Sequence, residues 1–497
     1  MHPLAKAWRT SIRRTSGLSN SEQRIQPRDG KTRSRRVAYS KKMMMDVPSY
    51  NTYFNEKDNR DLSQIPGTYG YPVIGHTLDF ITNPLTSTLR DYKKYGPVFR
   101  RSLAFQRMVA TVGPDITKLV TLDPDKVFSS RMGWEGLTGE YFSGSLMLMD
   151  FNDHRLQRRL MQTAFKTASM RGYIDSVNTI TRDTIKKWPV GEPLSFYPTI
   201  KALLLDIAAK VFLGTQLDEE GAALNKAFID FANGTVGIIK KDWPGLLHRK
   251  GLNGRRVLEK FIWKSIDEKR QGDGTDMFSH FCHEKNQQGK YFSHQEITDH
   301  MIFLLFAAHD TTTSALTMFM HSLANHQDWQ EQLRDQILSS NIDELNYDQL
   351  DSVPLIEYTF KEVLRMYPPV VGVIRRTIRP CEIAGHHLDA HTIVQSSILA
   401  NHYLEEYWRD PFKFDPMRFA EGRQEHKQHA FLWAPFGGGA HKCIGLHFAD
   451  MLFKCALVQI IRSYRFKFVH QTQANGKMQF LPFPKPSDDL PLILSDA

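Results

Sequence analysis

Cys443 closes a glycine-rich run, Phe436-Gly437-Gly438-Gly439-Ala440-His441-Lys442-Cys443, and is followed by Ile444, Gly445 and a helix-like stretch from Leu446. A thiol at a helix N-terminus meets backbone N–H donors and the positive end of the helix dipole, which are expected to lower its pKa. The glycines let the backbone wrap closely around the sulfur. A thiolate held this way is a soft, electron-rich ligand for an iron. A second group of reactive side chains lies in Phe306-Ala307-Ala308-His309-Asp310-Thr311-Thr312-Thr313. An acid followed directly by an alcohol is costly to bury in an apolar helix without a functional return. A threonine hydroxyl can bond back to the carbonyl one turn earlier, and an Asp–Thr pair can move protons as a general acid.

Glu362 and Arg365 stand at i, i+3, on one face of a helix that Pro368 and Pro369 end. Taken alone, that spacing fits a solvated surface pair equally well. Downstream lies Phe414-Asp415-Pro416-Met417-Arg418-Phe419. His154 and Arg158, at i, i+4, share another helix face. Cys381, His386, His387 and His391 are close in sequence, yet they lack the two separated ligand pairs of a zinc site and read as a β-hairpin.

The cysteine loop resembles the haem-binding loop of the cytochrome P-450 family, whose pattern is F-x-x-G-x-[basic]-x-C-x-G. Phe436, Gly439, His441, Cys443 and Gly445 match its fixed places. Further family motifs follow in family order: P-G-x-x-G-x-P-x-x-G at residues 66–75, [AG]-G-x-[DE]-T at 307–311, E-x-x-R at 362–365 and P-x-R-F at 416–419. The departure is Ala308 where the family has glycine, which adds a methyl group to the oxygen groove.

The resemblance covers about residues 60 to 495. It implies a mainly α fold with small β-sheets, and haem b (iron protoporphyrin IX) buried between the long central helix and the cysteine-loop helix. It implies Cys443 as the iron ligand within a loop built by Phe436, His441 and Gly445. It assigns proton delivery to Asp310 and Thr311, and the haem propionates to His154, Arg158, Arg375 and His441. Glu362, Arg365 and Arg418 would form a network that holds the cysteine-loop side of the fold in place.

The implied activity is that of a haem-thiolate monooxygenase, which uses two electrons and dioxygen to insert one oxygen atom into an apolar substrate. Residues 130–148, 230–250 and 370–374 are expected to line the cavity, with Leu146, Met147, Val370, Val371 and Val373 making it apolar. A sterol, retinoid or fatty acid is the expected substrate. No flavin or nicotinamide module is legible, so electrons are expected from a separate ferredoxin or flavoprotein reductase; Lys442 and Lys454 either steer it or are ordinary solubilising lysines. A peroxide-driven peroxygenase or haem-thiolate isomerase is the competing enzyme reading, and Asp310-Thr311 argues against it. A haem sensor would need an output domain, and none is legible.

Around these residues the pattern predicts paired strands at 98–103 and 108–112, loop at 130–148, and helices from about 152 to 340 broken at Lys241-Asp242-Trp243-Pro244-Gly245. Polar connectors are expected at 268–275 and 285–290. A long apolar helix is expected at 297–325, a β-rich patch at 373–399, and a structured loop at 401–442.

The net charge of +10 resides in residues 1–42, which carry twelve basic and two acidic side chains. The remainder is neutral, so the basic balance is no argument for nucleic-acid binding. Residues 1–59 are read as a basic disordered or extraneous leader, with Met43-Met44-Met45 offering later starts. An organelle transit peptide is the alternative. Residues 60–497 form a single catalytic domain in this reading. The four cysteines show no disulfide framework, and no run of 18 apolar residues is visible. A monomeric, cytoplasmic, bacterial enzyme without a transmembrane anchor is expected, with a mitochondrial one as the alternative.

Overall fold

The structure is a computed structural model that describes residues 61–497, apart from 104–105, 216–218, 236, 238–240 and 287. The leader and its alternatives lie outside the described residues. In chain order, the helices that place the site are α1 (Ser130–Phe142), α2 (Phe151–Met161), α3 (Phe196–Ala208), α4 (Glu219–Thr235), α5 (Leu247–Gln271), α6 (His294–Asn325), α7 (Pro354–Met366) and α8 (Leu446–Ser463).

Helix α6 begins with a reciprocal cap, in which Ser293 accepts from the Glu296 N–H while the Glu296 carboxylate accepts from the Ser293 N–H. Helix α7 has Pro354 in its first turn, where a missing N–H costs nothing. The two pack with α8 through three rings. Phe319 of α6 meets Phe453 of α8 at 5.2 Å, and Phe453 stacks on Phe360 of α7 at 3.7 Å. All three are buried, each contributing on the order of 2 kcal/mol of apolar transfer.

A five-stranded sheet lies at one side. Its strands are β1 (Val98–Leu103), β2 (Gln106–Thr111), β3 (Phe128–Ser129), β4 (Gly372–Thr377) and, beyond the hairpin β5 (Cys381–Ile383) and β6 (His386–Leu388), β7 (Ile393–Ser397). The order is β1-β2-β7-β4-β3, with β2 and β7 parallel and the other pairs antiparallel. Alternation along β4 puts neighbouring side chains on opposite faces. Arg375 is buried, while Arg376 Nε donates to the His391 carbonyl at 2.8 Å. No group of three or more metal-ligating side chains occurs among the described residues, and Cys381, His386 and His387 belong to the β5–β6 hairpin.

Two expectations are corrected. Residues 130–142 are helical, followed by a 3-10 turn at Leu146–Leu148. The Ser129 hydroxyl caps α1 by accepting from the Met132 N–H. Gly133 lets the helix press on β4, because a Cβ there would lie 2.9 Å from the Ile374 carbonyl oxygen. Gly133, which read as loop, is a packing residue. Helix α5 continues to Gln271, beyond the expected connector start at 268. As for membrane crossing, the stretch Gly439–Ser463 is long and apolar enough for it, yet 67% of its most apolar 18 residues are buried inside the protein, as befits a central core helix.

Candidate functional site

Cys443 sits where the glycine-rich loop turns into α8. Its N–H donates to the Phe436 carbonyl at 2.9 Å, which closes the loop on itself. Gly439 has φ +62°, and a Cβ on it would fall 2.0 Å from the Thr121 carbonyl oxygen. Only glycine fits that contact. The Gly445 N–H is directed at the Cys443 thiol. The expected lowering of the thiol pKa is corrected: Cys443 is exposed on one side, yet the protein packed behind it raises the thiol, and the Gly445 N–H, Arg158 and Lys442 offset this only in part. Helix-terminal donors are outweighed here by the many protein atoms around the sulfur.

Four side chains from three segments converge beside that loop. His154 and Arg158 come from α2, Arg375 from β4 and His441 from the loop. The His154 and His441 rings lie 3.9 Å apart. Burial, helped by repulsion from Arg158 and Arg375, pushes His154 down to about 4, and burial with repulsion from Arg375, His154 and Arg158 lowers His441. Burial alone takes Arg375 down to about 10 and lowers Arg158, Cys443 partly offsetting the fall there. Asp150 and Asp123 act on Arg375 through space and temper its shift. The buried His154 Nε2 has no hydrogen-bond partner. With both imidazoles neutral, Arg158 and Arg375 make the cluster a cationic cradle in need of anions, which fits the two carboxylates of haem.

Helix α6 is buried from Ile297 to Ala324 except at Phe303, Phe306, Ala307, Ala308 and Thr311. Phe303, Ala307 and Thr311 follow one another at i+4 spacing, so they share a face, and this face is only partly buried. Thr311 Oγ1 donates to the Ala307 carbonyl at 2.7 Å. Ala308 adds its methyl to this stripe. Asp310 turns the other way, accepting from Lys201 Nζ of α3 at 2.9 Å. Burial would raise its carboxyl, but His309 and Lys201 together hold it below the usual carboxylate range. Thr313 bonds to the His309 carbonyl at 2.8 Å.

Aromatic rings surround Phe306. Phe142 lies at 4.9 Å, Phe231 at 5.9 Å and Phe483 at 6.3 Å, and Phe142 also meets Phe303 at 5.6 Å. Leu146, Met147 and Val371 join the same main core, and Val370 is 38% exposed. Val373 departs from the expected lining: it packs in the separate cluster under the sheet with Val98, Val109 and Val394.

Glu362 is the hub behind the cysteine loop. Its two oxygens accept from Arg365 Nε at 2.7 Å and Nη2 at 2.9 Å, and Oε1 also accepts from Arg418 Nε at 3.1 Å and the Asp415 N–H at 2.9 Å. All three charged side chains are 0% exposed. Sequence reasoning missed His402, which ties this hub to the loop. Its Nδ1 lies 2.9 Å from the Arg365 carbonyl, and its Nε2 accepts from the Ala434 N–H at 3.2 Å. Nothing local in the sequence marks His402 or Lys201. Lys454 corrects another expectation: it is 2% exposed and paired with Asp450 and Asp351, each at 2.9 Å, whereas Lys442 is exposed.

Burial also pushes His402 down to about 3, and His300 and His321 to about 4. Above pH 6.5 these rings are neutral in both folded and unfolded chains. Below it the unfolded chain takes up protons that the folded one resists, so stability is present above about pH 6.5 and is lost as pH falls toward 3–4. Urea midpoints are expected to drop between about pH 7.5 and about pH 5. Equal midpoints would contradict buried neutral histidines.

The fold and the site define a helical protein that presents one cysteine beside a cationic cradle. The Cytochrome P450 family model matches residues 65–491. The putative cytochrome P450 136 of Mycobacterium tuberculosis is 33% identical over 455 residues, 89% of this chain and 92% of that protein. Human cytochrome P450 26B1 is 26% identical over 440 residues, covering 85% of each chain. The solved structure of retinoic acid bound cyanobacterial CYP120A1 superposes with a TM-score of 0.79 at 25% identity, over 87% of this chain and 99% of that one. The chain belongs to the cytochrome P450 family. It is a haem-dependent monooxygenase. Members of the family in general act on apolar substrates and take electrons from separate redox partners.

Proposed function

We propose that Cys443 ligates the haem iron, that Asp310 and Thr311 deliver protons at the site, and that the substrate is a lipid-like molecule, a retinoid before a sterol or fatty acid. Haem bound there supplies dioxygen activation and insertion of one oxygen atom into the substrate. His154, Arg158, Arg375 and His441 hold its carboxylates. The Cys443 loop anchors its iron, and the hub at Glu362 keeps that loop in register. The single observation that carries the reading is the convergence of the cationic cradle and the cysteine loop from separate segments.

The substrate class rests on the ring of phenylalanines about Phe306, next to the Ala307–Thr311 groove. A wall of aromatic edges favours a flat, apolar, conjugated ligand. The retinoic acid in the CYP120A1 structure supports the same choice. The mycobacterial and cyanobacterial relatives support a bacterial, cytoplasmic enzyme over the mitochondrial alternative. Electrons would come from a ferredoxin or a flavoprotein reductase.

Two measurements test this. Titration of the ferric enzyme with retinoic acid, a sterol and a fatty acid is expected to give a low-to-high-spin shift that is tightest for the retinoid. No shift with any of the three would remove the lipid reading. Second, Asp310→Asn and Thr311→Ala are each expected to lower the coupling of electrons to product on the order of a hundredfold, with peroxide released instead. Unchanged coupling would remove both residues from proton delivery.

A further inference from the structure

His309 has a fully buried side chain and two hydrogen-bonding contacts, one on each ring nitrogen. Nε2 lies 2.9 Å from the carbonyl oxygen of Lys201. A carbonyl only accepts, so Nε2 carries a hydrogen. Nδ1 lies 3.2 Å from Asp310 Oδ1. In a neutral imidazole with its hydrogen on Nε2, Nδ1 is an acceptor. It would then face a carboxylate oxygen, a second acceptor, in a buried site. Two acceptors facing each other without a proton are costly in low-dielectric surroundings. One proton between them removes the conflict.

The surroundings are compatible with such a proton. From α4 the neighbour is the uncharged ring of Phe228, edge-on at 5.0 Å. From α3, Lys201 Nζ reaches the same Oδ1 at 2.9 Å, and its side chain is 22% exposed. Tyr197, also on α3, faces Asp310, with Lys485 over its ring at 4.2 Å and Asp489 paired to that lysine at 2.5 Å. Both contacts to Asp310 fall on Oδ1, which leaves Oδ2 clear of them.

We propose that His309 and Asp310 share one proton across the Nδ1–Oδ1 contact, and that this pair, rather than Asp310 alone, is the proton store for Thr311. The inference rests on the reading of Asp310 and Thr311 as the proton-delivering pair. When the proton moves from Nδ1 to Oδ1, imidazolium and carboxylate become neutral imidazole and neutral carboxyl together. The net charge of the pair is unchanged, so the buried site solvates no new charge. After Asp310 passes the proton on, the pair is refilled by the partly exposed Lys201 ammonium, which solvent then reprotonates. His309 is a positioning residue in this scheme.

The test uses the full-length, haem-loaded protein. Nitrogen NMR of isotope-labelled histidine, with the His309 signal assigned by its loss in His309→Asn, is expected to show hydrogen on Nε2 and a shared proton at Nδ1 near neutral pH. Asp310→Asn is expected to convert it to the plain neutral tautomer. A neutral tautomer already in the unsubstituted protein, unmoved by Asp310→Asn, would overturn the proposal. In turnover with a surrogate electron donor, His309→Asn places an amide near the Nδ1 position that cannot titrate. Coupling is expected to fall on the order of tenfold, with a lower pH optimum and a larger solvent isotope effect, less than the hundredfold or more lost with a general acid itself. An unaltered pH profile and coupling would overturn the shared proton. If Asp310→Asn and Thr311→Ala leave coupling intact, the proton-delivery reading itself fails. If they collapse it and His309→Asn does not, only the shared proton fails.

Discussion

Cys443→Ala is expected to give a folded protein whose reduced, carbon monoxide-bound spectrum no longer has the band typical of thiolate coordination, and whose turnover falls by about a thousandfold or more. The sulfur is the soft donor of the loop, and His441, two residues away, is turned toward His154 instead. Cys443→His offers an imidazole in place of the sulfur and is expected to shift the spectrum to the imidazole type while leaving turnover low. Far-UV circular dichroism should be unchanged in both variants, because the loop closes through backbone groups, the Cys443 N–H and the Phe436 carbonyl. A Cys443→Ala spectrum identical to that of the unsubstituted protein would end the assignment of this cysteine as ligand.

Glu362→Ala is expected to be the most destabilising single change on the opposite side of that loop. It leaves Arg365 charged, fully buried and without its carboxylate, and takes from the equally buried Arg418 one of two, Glu425 remaining at 2.7 Å. Breaking a buried pair by removing one partner costs about 3–5 kcal/mol, a large share of the roughly 5–15 kcal/mol that keeps a domain folded. The expected result is a sharply lower denaturant midpoint and little haem retained on purification. Arg365→Lys should recover less than half of the loss, since a lysine cannot reproduce the forked contact to both Glu362 oxygens. A Glu362→Ala midpoint within about 1 kcal/mol of the unsubstituted protein would mean that the hub bears no structural load.

Glu362 also marks the limit of what spacing can show. An acid and an arginine at i, i+3 fit an exposed helix face as well as a buried hub, and what separates the two is Arg418, 56 residues from Glu362. Cys443 is different, because its loop chemistry is local. The glycines, the basic position and the following helix all stand within ten residues. The long helix α6, the hairpin β5–β6 and the β1–β2 pair were legible for the same reason, each being fixed by short-range period or turn residues. Helix α1 was not. Its Gly133 serves contact with β4, and that contact is invisible until the strand is in place. Lys454 misled in the same way, since its burial depends on Asp351, 103 residues distant.

The cysteine loop, the acid–alcohol pair on the central helix and the mainly helical class are legible locally, because each is written in neighbouring residues or a short repeat. Packing of distant segments is what gathers His154, Arg158, Arg375 and His441 into one cradle, sets Lys201 and His309 about Asp310, and lets His402 tie the charged hub to the loop. Those arrangements depend on which helix faces lie against one another. Long-range packing sets them through burial and the pairing of charge removed from water, and local propensity carries no record of it.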